Sequence, residues 1–141
     1  MLGGLALAPL ARAQAPAARD AVLYKNPSCG CCEEHASYLR SHGYSVKVVE
    51  THDLDGIKRQ HAVPEELFGC HTVLIGGYVV EGHVPAVALA RLLRERPAIR
   101  GISLPGMPAG SPGMTGRKRE PLRIYRIDGR SSGEPRVYAV E

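Results

Sequence analysis

Tryptophan is absent from the 141-residue sequence and phenylalanine occurs once, so aromatic residues make up only 5% of the chain. A core built on large rings is excluded, and the interior has to be filled by valine, leucine and isoleucine. Long apolar runs are also missing. The stretch from Met1 to Leu10 falls well short of the roughly 20 residues a membrane-spanning helix needs. Strong charge of one sign is lacking too, since the formal net charge is +4. The basic residues Arg117, Lys118, Arg119, Arg123, Arg126 and Arg130 gather in a Gly/Pro-rich region. They are not interleaved with aromatics on one face, as a nucleic-acid surface requires, and read as a solvated loop and tail. Apolar content of 44% places the chain among folded proteins, and its length suits one domain with a single core.

The N-terminus carries processing information. A small apolar stretch leads to Ala13-Gln14-Ala15, an A-x-A cleavage pattern, although no charge precedes Arg12. Residues 1–15 are accordingly expected to be an atypical or truncated signal peptide, and residues 16–141 the mature domain. Export follows as an expectation, with no second apolar span after the leader.

Periodicity supplies the elements. Ala21 to Tyr24 reads as a buried strand. Lys25 to Gly30 is turn chemistry, and Cys31 to His42 a helix, with Glu33 and Glu34 in its first turn and Gly43 as its stop. Tyr44 to Glu50 alternates as a strand. Asp53 can cap a short helix bearing Leu54, Ile57 and His61, ended by Val63-Pro64. Thr72 to Ile75 and Tyr78 to Glu81, joined by Gly76-Gly77, form a β-hairpin signal. Pro85 opens a last helix with Leu89, Leu92 and Leu93 on its apolar face, ending before Pro97. The predicted order is β-α-β-α-β-β-α, an α/β fold with the thioredoxin-like arrangement. A long Gly/Pro/Met loop is expected over residues 99–120, with a C-terminal β-hairpin from Leu122–Ile127 and Arg136–Val140 appended to it.

Four cysteines carry the chemistry. Cys29-Gly30-Cys31-Cys32 lies between the first strand and the first helix, and Cys29 with Cys32 makes a C-x-x-C. At a helix N-terminus, free amides and the dipole stabilise thiolates. A thiolate is both the nucleophile of disulfide exchange and a soft ligand for Cu(I). Cys31 is surplus to a dithiol oxidoreductase but useful in a metal cluster. Cys70-His71 precedes the third predicted strand, a junction that faces the first helix in thioredoxin-like folds. It offers a fourth sulfur and an imidazole. The bland alternatives are a structural disulfide among Cys29, Cys31 and Cys32, a buried Cys70 and a hydrogen-bonded His71. His83 either caps the last helix or reaches the site. Met107 and Met114 offer thioethers that suit Cu(I), and His35 lies one turn beyond Cys32. His42, His52 and His61 read as surface or helix-end residues.

Several blocks together are specific. They are Tyr24-Lys-Asn-Pro-Ser-Cys-Gly-Cys-Cys32, Cys70-His71-Thr72, Gly77-Tyr78, Glu81-Gly-His-Val-Pro85, Arg91-Leu-Leu, Glu95-Arg-Pro97 and Pro105-Gly-Met-Pro-Ala-Gly-Ser-Pro-Gly-Met114. Over roughly residues 22–138 the chain resembles the CopG-like copper-resistance family. The resemblance implies a periplasmic protein with a thioredoxin-like fold and a cysteine-rich copper site. Its ligand candidates are Cys29, Cys31, Cys32 and Cys70, with His71 and His83. The chain departs from the family pattern at His35, where a tryptophan commonly follows the two glutamates.

Two functions are therefore expected. One is a copper-binding module whose thiolates bridge Cu(I) ions, with Zn(II) as the rival occupant and a second periplasmic copper protein as partner. The other is an enzyme, a thiol–disulfide oxidoreductase using Cys29 as nucleophile and Cys32 as resolving thiol. Four cysteines allow three fully paired connectivities, so the sequence leaves the pairing open.

Overall fold

The computed structural model describes residues 17–129 and 133–141; the predicted leader lies outside them. Strands β1 (Asp20–Lys25), β2 (Ser45–Glu50), β3 (His71–Ile75), β4 (Tyr78–Glu81), β5 (Gly101–Ser103), β6 (Arg123–Ile127) and β7 (Val137–Val140) form one mixed sheet. Their order is β2-β1-β3-β4-β5-β6-β7. Among the described residues three helices accompany them, α1 (Gly30–Ser41), α2 (Leu54–Gln60) and α3 (Ala86–Glu95), together with a short 3-10 turn at Glu65–Leu67.

The expected parallel pair forms between β1 and β2, with Leu23 opposite Val48, because α1 carries the chain back to the start of the sheet. β3 runs antiparallel on the other side of β1, and Lys25 stands opposite His71. The β3–β4 turn has positive φ at both Gly76 and Gly77, as a two-residue hairpin loop of this hand requires. α3 ends with Arg96 in the left-handed region at φ 50°. Its guanidinium donates to the Gly76 carbonyl at 2.6 Å and sits 4.6 Å over the Tyr78 ring, which compensates the strained backbone.

Residues 99–120 are not wholly loop, as the sequence suggested. Gly101–Ser103 is a strand, parallel to β4 and antiparallel to β6. Three residues between two prolines are too few to show alternation, so this strand has no sequence signal of its own. It seats the terminal hairpin in the main sheet, making β6 and β7 its continuation.

The larger core lies under α1 and α3. Leu23, Val73, Val80, Ile102 and Ile124 meet Leu39, Leu89 and Leu92 there, all essentially fully buried. A smaller cluster of Val63, Leu67, Val79 and Ile127 packs separately. Aliphatic side chains do fill the interior, as the shortage of rings demands. Val73 and Ile75 lie in the larger core and Leu74 packs against the smaller, so β3 is held on both faces, and with it the approach of the Gly69–Cys70 segment to the start of α1.

Candidate metal centre

Local chemistry places each cysteine. The Asn26 side chain accepts from the backbone N–H of Ser28 at 3.1 Å and from its hydroxyl at 2.8 Å, and Cys29 N–H returns to the Asn26 carbonyl at 3.0 Å. This turn delivers Cys29 to the N-cap of α1, with Cys31 and Cys32 in the first turn. Beneath it, buried Lys25 donates to the Pro27 carbonyl and lies 3.4 Å from Glu33 and 3.6 Å from Glu50. Because Lys25 is paired with His71 across the sheet, Cys70 emerges at the same edge.

Glu81 accepts from Gly69 N–H at 3.1 Å and from the Thr72 hydroxyl at 2.8 Å, and it pairs with Lys58. The Lys58 ammonium also reaches the Gly69 carbonyl at 3.1 Å and the Thr72 hydroxyl at 3.2 Å. Both charged groups are fully buried, at 2% and 0% exposure. Burial of an ion pair is tolerable only with its remaining hydrogen bonds satisfied, as here. Sequence reasoning missed this pair. The pattern of α2 rests on Leu54, Ile57 and His61, whereas Lys58 is its residue that is fully enclosed.

The sulfurs converge. Cys29 and Cys32 are joined by a disulfide, and Cys31 and Cys70 are free. Cys31 Sγ lies 3.4 Å from Cys29 Sγ and 3.9 Å from Cys70 Sγ, and Cys32 Sγ lies 3.9 Å from Cys70 Sγ. All four fall within 4.8 Å of one another. A second group shares Cys70. His83 Nε2 is 2.8 Å and His71 Nδ1 3.3 Å from Cys70 Sγ. His83, undecided from the sequence, therefore faces the sulfurs. His35 faces the imidazoles, with Nδ1 2.7 Å from His71 Nε2. Met107 is 61% exposed, and Met114 is half-buried in a loop turn closed by its N–H to the Ser111 carbonyl.

Burial shifts the titration of this cluster toward its neutral forms. Burial, with the neighbouring Cys31 and against the pull of Lys58, pushes the Cys70 thiol up to about 12. Burial, reinforced by His83, lowers His35 to about 4. His71 is driven well below its ordinary value by burial, then by the repulsion that protonated His35 or His83 would add and by Lys58, and His83 is lowered by burial. At neutral pH the three imidazoles are uncharged, as metal ligands must be, and Cys70 holds a proton that an incoming metal would displace. The donor chemistry suits a soft metal: four sulfurs once the Cys29–Cys32 bond is reduced, or one sulfur with two imidazole nitrogens.

The DUF411 family, described as a protein of unknown function, matches residues 67–114. No curated protein matches the chain. Two solved structures do, both of a copper resistance protein CopG. Form 2 aligns at 34% identity with a TM-score of 0.77, covering 86% of this chain and 97% of its own. Form 1 aligns at 34% identity with a TM-score of 0.78, covering 88% and 98%.

Proposed function

Because this chain belongs to the CopG copper-resistance family, we propose that it is a periplasmic copper-handling protein that holds Cu(I) on Cys29, Cys31, Cys32 and Cys70. The observation that carries this reading is the convergence of four sulfurs from two distant segments within 4.8 Å. Thiolates bridge soft metal ions, so four of them with His71 and His83 at the margin have the capacity for more than one Cu(I). Zn(II) is the competing occupant, since a four-thiolate set satisfies it as well. The domain from residue 16 onward reads as thioredoxin-like, with its metal site where such folds carry a redox pair. The Cys29–Cys32 bond and the A-x-A pattern both favour an oxidising compartment.

That bond also favours a second reading, in which the pair exchanges electrons. Cys29 thiolate would attack a partner disulfide and release one partner thiol. Cys32 would then displace the partner's second thiol from the mixed disulfide, so two electrons and two protons leave this chain. The two readings combine into redox-gated copper loading, because a sulfur held in a disulfide is no longer a thiolate ligand. Competition of the reduced protein against a Cu(I) chelator under anaerobic conditions tests the proposal, with Cys70→Ser alongside. Tight binding by the wild type and weaker binding by the variant is expected. A wild type that cannot compete for Cu(I) refutes the copper reading and leaves the oxidoreductase.

A further inference from the structure

Beyond the sulfurs, three buried histidines reach Cys70 from two sides, His35 through His71 on one and His83 on the other, by hydrogen bonds whose sense is fixed from outside. His35 Nε2 lies 3.1 Å from the Val84 carbonyl, which can only accept, so this nitrogen carries the proton. A neutral His35 then has a bare Nδ1, and that atom faces His71 Nε2 at 2.7 Å. His71 must donate there, which leaves its own Nδ1 bare and directed at Cys70 Sγ at 3.3 Å. On the other side, His83 Nδ1 lies 2.6 Å from the Pro112 carbonyl and has to donate to it. Its Nε2 is therefore also bare, 2.8 Å from the same sulfur.

Two imidazole lone pairs thus converge on one thiol. A thiol has one proton and can satisfy one of them, so the second stays unsatisfied in a pocket where His35, His71 and His83 are all fully buried. A Lewis acid bound at Cys70 would satisfy both, which is what the arrangement is suited to hold.

We infer that His35 is a positioning residue: by accepting from His71 Nε2–H and donating to Val84, it fixes the tautomer that aims His71 Nδ1 at the metal side of Cys70. A phenyl or indole ring at this position would fill space but could not accept that hydrogen bond. Removing such an outer partner of a ligating histidine typically lowers metal affinity by about 10–100-fold. The consequence for copper rests on the function proposed above; the tautomers themselves do not.

The test uses the metal-free ¹⁵N-labelled protein, in which two-bond ¹H–¹⁵N spectra report the tautomer of each ring. The wild type should show Nε2–H forms for His35 and His71 and the Nδ1–H form for His83. His71 found as Nδ1–H in the wild type overturns the inference without recourse to any variant. In His35→Phe, His71 should leave the pure Nε2–H form, and Cu(I) competition should weaken by about 10–100-fold. His35→Asn, whose carboxamide oxygen can take the place of Nδ1, should restore both in large part. An unchanged His71 tautomer and unchanged affinity in His35→Phe would make His35 a packing residue. If the wild type shows the stated tautomers but fails to bind Cu(I), the copper reading falls while the tautomer assignment stands.

Discussion

Replacing Lys58 by methionine keeps an unbranched stem of similar length but removes the ammonium from Glu81. The carboxylate would remain fully buried with two donors left, Gly69 N–H at 3.1 Å and the Thr72 hydroxyl at 2.8 Å. Breaking a buried pair from one side costs about 3–5 kcal/mol, and the two surviving hydrogen bonds place this case near the lower end, at about 3 kcal/mol near neutral pH. With a urea m-value of about 2 kcal/mol/M, the unfolding midpoint should fall by about 1.5 M. The loss should also depend on pH. Burial already raises the Glu81 carboxyl above its ordinary value, with Lys58 opposing the rise. Without Lys58 the folded-state value climbs further. A carboxyl raised in the folded state gives stability that is present below its unfolded value and lost as pH rises through the folded one. The variant's deficit should therefore shrink as pH falls from 7.5 to 5.5, by at most about 1.4 kcal/mol per pH unit. Urea unfolding of both proteins at the two pH values, under identical redox conditions, measures this. A deficit equal at both pH values, or none at either, would refute the buried-pair account. Lys58→Met/Glu81→Gln should regain much of the loss, and a double variant as unstable as the single would count equally against it.

Gly113 adopts φ +82°, and a Cβ there would meet the backbone nitrogen of His35 at 2.7 Å. Gly113→Ala should lift the loop from α1, lower stability by about 1–3 kcal/mol, and disturb the His83–Pro112 hydrogen bond, visible as a changed His83 ring spectrum. In the disulfide form, only Cys31 and Cys70 are free among the described residues. Alkylation followed by mass spectrometry should add at most two groups before reduction and four after it. Modification of Cys70 at pH 8 should be slow, because its thiol is pushed up to about 12.

The residues that announce themselves in the sequence are those whose neighbours are local. Gly76-Gly77 has to turn, so the β3–β4 hairpin is legible. Cys29 and Cys32 flank the start of a recognisable helix, so their C-x-x-C spacing is legible too, while their pairing is not. Even the meeting of Cys70 with the first loop follows once β3 is placed antiparallel to β1. His83 was ambiguous because Gly82, at φ +77°, turns the chain before α3, and no periodicity says which way the imidazole then points. β5 was invisible because its pairing partners, not its own three residues, make it a strand. Lys58 gives no signal of its own because lysine on a short helix is ordinarily solvated, and its partner Glu81 comes from a distant strand. His35 was noted only as a residue one turn beyond Cys32; its hydrogen bonds to His71 and Val84 depend on β3 and the start of α3 arriving together.

The central claim is that thiolates hold the metal. Native mass spectrometry tests it most directly, counting copper on the chain after anaerobic Cu(I) loading and desalting, with the reduced protein beside the Cys29–Cys32 disulfide form. More than one copper on the reduced protein and a smaller number on the disulfide form is the predicted result. Equal copper on both forms, or none retained by the reduced protein, would contradict it.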